Sequence, residues 1–221
     1  MREEDRSVFE LTAPSPDVAS EDADIYEGGE KGNIILIHGG YWRPEYDRTH
    51  LRPLASALAL LGYRVISIEY RRIPGSPDLM LQDVLKGVER YPDSILIGHS
   101  AGGHLALLAA EKIPLSIQKV IALAPVADLQ ATLDQNLDDG AAAQFLGERS
   151  LSDYDPMSGG DITIPVTLIH GVEDQRVPVD FSRRFSEKFR TLFIELPDIG
   201  HFELIDPRSR VFTILVDEIN P

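Results

Sequence analysis

The chain has 221 residues, of which 36 are acidic and 21 are Lys or Arg, giving a formal charge of −15. Its length supports one sizeable core, its 43% hydrophobic content excludes a disordered chain, and the absence of cysteine removes disulfides, zinc–thiolate sites and a thiol nucleophile. No apolar run approaches the ~18 residues of a membrane helix and no secretory signal is visible, while the acidic balance disfavours nucleic acid and anionic lipid, so the expectation is a cytoplasmic globular protein with neither as partner.

The first 32 residues are the least regular. Six acidic residues and no basic ones fall between Asp17 and Glu30, as in a solvated surface segment. Ser7–Leu11 and Ala23–Tyr26 read as short edge strands. From Ile34 onward, near-continuous apolar runs alternate with segments of helical period. The first run, Ile34–Ile37, leads into His38-Gly39-Gly40-Tyr41-Trp42. The stripe Leu51, Leu54, Ala55, Leu58, Leu61 has helical spacing, and Gly62 can cap it. The strand run Arg64–Ile68 follows, then a helix over Pro77–Arg90, marked by Leu81, Val84, Leu85 and Val88. Ser94–Ile97 is a third buried run. It feeds Gly98-His99-Ser100-Ala101-Gly102, and a helix over Ser100–Lys112 comes next. After the run Lys119–Leu123 the chain is long for a simple crossover. The segment 128–160, with a short helix at Ala141–Leu146, is expected to form a small cap over a pocket. Pro165–Ile169 precedes His170-Gly171-Val172-Glu173-Asp174, a helix fits Val179–Phe189, and Thr191–Leu196 is the last strand before His201 and a closing helix over Arg208–Ile219. Strands with this continuous apolar character belong to a mostly parallel sheet covered by helices on both faces, which predicts a single α/β domain over 1–221. Ligands of such sheets sit at the carboxyl ends of the strands.

The chemistry is concentrated there. Gly98-His99-Ser100-Ala101-Gly102 is a G-x-S-x-G sequence between a strand and a helix, where a sharp turn presents the serine hydroxyl and small neighbours relieve crowding. A serine needs a base. His201, in the loop after the last strand, is the best placed of six histidines. His104 follows the serine on the same helix and is expected to pack or bind water, while His99 and His170 read as structural and His50 as lying near the start of a surface helix. The base needs a carboxylate. Asp174 is the candidate, with Glu173 as a minor alternative. The order Ser100, Asp174, His201 is that of α/β hydrolases and not of chymotrypsin or subtilisin proteases. The glycines after Ile37 suit an oxyanion site formed by Gly40 and Ala101, with Gly39 shaping the turn. The segment from Asp134 to Gly140 begins like a calcium loop but has Asp139 where glycine is needed and Phe145 where a bidentate Glu belongs, so no metal site is expected, and no cofactor.

From Asn33 onward the sequence resembles the α/β-hydrolase superfamily. Within it, the His38–Trp42 segment together with Gly98-His99-Ser100-Ala101-Gly102-Gly103-His104-Leu105-Ala106 is similar to the kynurenine formamidase (arylformamidase) and related esterase branch. The resemblance implies an α/β-hydrolase fold, Ser100 as nucleophile with Asp174 and His201 as partners, and an HGGxW oxyanion loop. It implies a small ester or aryl formamide as substrate, with Tyr41 and Trp42 near it. The residues themselves leave Trp42 open as either a core aromatic or a pocket residue. Two other readings remain: a general short-chain carboxylesterase and a non-catalytic ligand-binding scaffold. A peptidase would usually bring a large extra domain, for which there is no room.

Overall fold

A computed structural model describes residues 4–220. Eight strands form one sheet: β1 (Val18–Ala19), β2 (Ala23–Glu27), β3 (Asn33–Ile37), β4 (Arg64–Ile68), β5 (Ser94–His99), β6 (Ile117–Leu123), β7 (Val166–Gly171) and β8 (Leu192–Leu196). Their spatial order is β1-β2-β4-β3-β5-β6-β7-β8. The pairs β1·β2 and β2·β4 are antiparallel, and every pair from β4 to β8 is parallel. The parallel strands β3 to β7 carry side chains buried on both faces, as the sequence Ile34-Ile35-Leu36-Ile37 requires, while the edge strand β8 is largely exposed or half-buried.

The helices are α1 (Arg52–Leu60), α2 (Pro77–Arg90), α3 (Ala101–Lys112), α4 (Leu129–Asp134), α5 (Leu137–Leu146), α6 (Val179–Phe189) and α7 (Arg210–Ile219). They cover the two faces over two cores. One gathers Met80, Val84, Leu105, Leu168 and Phe181, and the other Leu54, Leu58, Ile97, Val211 and Leu215. α1 ends as expected: Gly62, at φ 98°, donates its N–H to Ala59 O at 2.9 Å. α3 is buried almost all round because its first turn presses against the end of β3. A Cβ on Gly102 would stand 2.1 Å from Ile37 O.

One segment departs from the sequence reading, and another adopts a turn the sequence does not indicate. Ser7–Leu11 is not a strand: Ser7–Glu10 forms a 3-10 helix with only Val8 buried, because the outer edge of the sheet is already occupied by β2 and the short β1. The segment from Asn136 to Gly140 forms a left-handed turn, with φ of 49° at Asn136, 46° at Asp138, 51° at Asp139 and 79° at Gly140. Asn, Asp and Gly are the residues that tolerate this region. Regular α-helix starts only at the alanines that follow, where the sequence places it.

Candidate active site

β5 delivers the serine. At its end Ser100 adopts φ 57°, ψ −119°, and α3 begins at the next residue. Its N–H donates to Leu123 O (2.9 Å), and its carbonyl accepts from His104 N (3.1 Å) and Val126 N (3.3 Å). Only small neighbours fit: a Cβ on Gly98 would lie 2.4 Å from Gly102 O. Ala101, in the first turn of α3, has a backbone N–H without an intrahelical acceptor.

β3 delivers the glycine loop. A Cβ on Gly39 would stand 2.9 Å from Ser100 Cβ, so the loop lies directly against the serine. Among the described residues, no backbone carbonyl accepts from the N–H of Gly40. Gly40, Tyr41 and Trp42 run at φ 106°, 48° and 57°, an unusual succession for two bulky residues. The loop is braced from behind. His38, fully buried, donates Nδ1–H to Gly39 O (2.8 Å), stacks on Tyr70 with centroids 4.3 Å apart, and meets Glu69 Oε1 through Nε2 at 2.8 Å. Tyr70 donates its hydroxyl to His38 O (3.0 Å). Burial alone would raise the Glu69 carboxyl, but the hydrogen bonds and positive charge of His38 and Arg72 outweigh it and hold it at about 2.

The loops after β7 and β8 carry Asp174 and His201, the candidate acid and base. Asp174, in the turn after β7, accepts Nδ1–H from His201 at 2.7 Å on Oδ2 and backbone N–H groups from Arg176 and Val177, each at 2.8 Å, on Oδ1. His170 adds a second imidazole: its Nε2–H lies 3.1 Å from Asp174 Oδ2 and 3.0 Å from Val177 O, and its Nδ1 accepts from Ser182 Oγ at 2.7 Å. Burial opposes the Asp174 charge. The charge of His201 and the hydrogen bonds from both histidines overcome that and hold the carboxyl far below its ordinary range. With Nδ1–H committed to Asp174, His201 keeps Nε2 as its basic nitrogen. His99 donates Nε2–H to the His201 carbonyl (3.1 Å) and so anchors the loop that carries this histidine. Burial first, then the neighbouring His201 and His50, push His99 well below its usual value.

Ser100 and His201 wall the same cavity, of about 70 Å³, together with Gly40 and Tyr41. No hydrogen bond joins the Ser100 hydroxyl to His201 among the described residues, and such contacts often tighten only around a substrate. Tyr41 reaches the cavity wall and donates its hydroxyl to Arg176 O at 2.5 Å. Trp42 does not reach it: it is buried, stacked on Phe145 at 4.4 Å and edge-on to His104 at 5.0 Å. His104 packs, donating Nε2–H to Tyr154 O at 2.7 Å. Glu173 is exposed, while Asp174 carries the histidine contact. His99, from the serine motif itself, and Asp138 also line the wall, and the rest comes from residues that no motif announced: Arg6, Phe9, Tyr46, His50, Arg176 and Phe202. Asp138 stands in the left-handed turn and binds Arg43 Nε at 2.6 Å, which ties the segment after β6 to the glycine loop. A larger groove of about 740 Å³, lined by Glu69, Arg71, Arg72 and Asp83, has no serine or threonine in its wall. Among the described residues no group of three or more His, Asp or Glu side chains is arranged to hold a metal ion, and no helix is long and apolar enough to cross a membrane.

A mostly parallel sheet with a serine on a strand-to-helix turn and a carboxylate–imidazole pair on the following loops defines the α/β-hydrolase class, and the chain belongs to the alpha/beta hydrolase family, whose pattern matches residues 34–159. It is 28% identical over 227 residues to the "Probable carboxylic ester hydrolase LipM" of Mycobacterium tuberculosis, covering 84% of this chain and 52% of that protein. It is also 28% identical over 160 residues to the carbendazim hydrolyzing esterase of a Nocardioides species, covering 65% and 64%. The chain thus spans between half and two thirds of the length of these relatives. Its fold is like that of esterase B from Lactobacillus rhamnosis, with a TM-score of 0.70 at 20% identity over 94% of this chain and 86% of that one. Thermogutta terrifontis esterase 2 has a TM-score of 0.69 at 18% identity over 89% and 88%. The kynurenine formamidase branch is not among these likenesses.

Proposed function

We propose that the protein is a serine hydrolase of small carboxylic esters that works through an acyl-enzyme on Ser100. The observation that carries this reading is that His201, in the wall of the cavity that Ser100 also lines, donates Nδ1–H to Asp174 behind it at 2.7 Å. As Ser100 Oγ attacks the ester carbonyl carbon, its proton passes to His201 Nε2. The carbonyl oxygen becomes an oxyanion that accepts from the N–H groups of Gly40 and Ala101, with Gly39 setting the turn. Collapse breaks the bond to the alcohol oxygen, which leaves with the proton from His201. Water then attacks the acyl carbon, gives its proton to His201, and the serine departs as the free hydroxyl. Asp174 stays ionised and fixes the imidazole. No cofactor enters these steps. The cavity of about 70 Å³, far below the 300 Å³ or so of typical ligand pockets, favours a small acyl group. The segment 128–160 acts as a small cap on the single domain, and Asp138 is its contribution to the wall.

The same small cavity also supports a second reading, an aryl formamidase, because formyl is the smallest acyl group and the His38–Trp42 loop resembles that branch. Comparing N-formylkynurenine with p-nitrophenyl acetate separates the two. The test of the shared mechanism is Ser100→Ala, which is expected to keep its circular dichroism spectrum and lose ester turnover by a factor of about 10³ or more. Undiminished turnover would overturn the mechanism, and failure of a fluorophosphonate to label Ser100 would favour a non-catalytic scaffold.

A further inference from the structure

Phe9 stands between two hollows. The catalytic cavity and a groove of about 620 Å³ between the Ser7–Glu10 helix and the 45–53 segment share four wall residues, Arg6, Phe9, Tyr46 and His50. Phe9 is 47% exposed, yet its ring is fixed on one side. It packs edge-on against Phe202 with centroids 4.9 Å apart, and Phe202 packs edge-on against His201 at 5.1 Å. The Arg6 guanidinium lies 5.7 Å from the Phe9 ring and 5.2 Å from the Phe202 ring, within cation–π range of both. The segment is further tied down where Arg176 Nε donates to Glu4 (2.9 Å) and Arg208 donates to Ser7 Oγ (2.8 Å).

The side of the cavity on which Phe9 stands follows from the chemistry. His201 gives its proton to the departing oxygen, so the alcohol half of an ester leaves past His201. The row His201, Phe202, Phe9 lines that exit. We propose that Phe9 is a specificity-determining residue: its ring separates the groove from the catalytic cavity and limits the alcohol half of the ester to a short chain. This rests on the ester-hydrolase reading above. Trimming the ring joins the two hollows on the alcohol side and leaves the acyl side unchanged.

The test is kcat/KM for methyl acetate, hexyl acetate and methyl hexanoate with the wild type, Phe9→Ala and Phe9→Trp. In Phe9→Ala the hexyl acetate to methyl acetate ratio is expected to rise about tenfold or more, the scale on which a pocket discriminates added methylenes, while the methyl hexanoate to methyl acetate ratio moves by less than about threefold. Phe9→Trp is expected to lower the first ratio. A general loosening of the fold would move both ratios together. An alcohol ratio within about twofold of wild type in both variants, or an acyl ratio that moves as far as the alcohol ratio, overturns the proposal. If wild-type acetate turnover is present and vanishes in Ser100→Ala while the alcohol ratio stays put, only the role of Phe9 falls. If turnover is absent, or survives Ser100→Ala, the ester-hydrolase reading falls and takes this proposal with it.

Discussion

At φ 57° Ser100 occupies a backbone region that costs a non-glycine residue about 1–3 kcal/mol, and three backbone hydrogen bonds on its own N–H and carbonyl hold it there. Asp174 is similarly over-determined, with two imidazoles and two amides on one carboxylate. Asp174→Asn keeps the shape but offers an N–H where His201 needs an acceptor. It is expected to lower kcat by about 10⁴-fold, as read by steady-state kinetics, and, because the fold holds the Asp174 carboxyl far below its ordinary range, also to lower the melting temperature at neutral pH, as read by calorimetry. Glu69 makes a prediction about stability. Its carboxyl drops from an ordinary 4.5 to about 2 on folding. A depressed acid stabilises the fold above its unfolded value and loses that contribution as pH falls through the folded one. Glu69→Gln should therefore melt below wild type at neutral pH, and the gap should narrow between pH 4.5 and pH 2. A gap that stays constant over that window would show that the ionisation of Glu69 contributes nothing to stability.

Helix α3 and strand β3 meet closer than any side chain allows, and that approach sets the serine beside the glycine loop. Gly102→Ala forces a methyl to within 2.1 Å of Ile37 O. It is expected to cost about 3 kcal/mol or more, or to prevent folding, in a denaturant melt. At this scale much was legible: Ile34–Ile37, Arg64–Ile68 and the stripe of α2 carry enough buried apolar residues for their period to show. Ser7–Glu10 was not, because one buried residue in four has no period, and the same few apolar side chains suit an edge strand as well as a 3-10 turn. The Asn136–Gly140 turn was also illegible. Its acidic spacing looks like an ion loop, and left-handedness lies in backbone angles that Asn, Asp and Gly merely permit.

Across the whole molecule, Ser100, Asp174 and His201 come from the ends of β5, β7 and β8 and meet on one edge of the sheet, an arrangement implied by strand order alone. The cavity wall was hidden from sequence because it is assembled from segments far apart: Arg6 and Phe9, Asp138, Arg176. Each is an unremarkable residue until the chain brings it round. The surplus of acids acts at this scale too. A charge of −15 repels anions over distances that salt shortens. Raising the salt from about 20 mM to about 500 mM should therefore increase kcat/KM for a carboxylate-bearing acetate ester relative to a neutral one, and a flat ratio would show that local charges at the cavity dominate. The two ends of the described chain lie on opposite edges. Glu4 is bonded to Arg176 in the cavity wall, whereas Asn220 accepts from Tyr63, just ahead of β4, and Lys119 Nζ reaches Glu218 O at 2.7 Å. An affinity tag or fused reporter joined ahead of Glu4 would therefore be attached beside the Arg176 wall of the proposed substrate cavity, while one joined after Asn220 would be attached at the far edge, so the choice of which end to label becomes a kinetic variable.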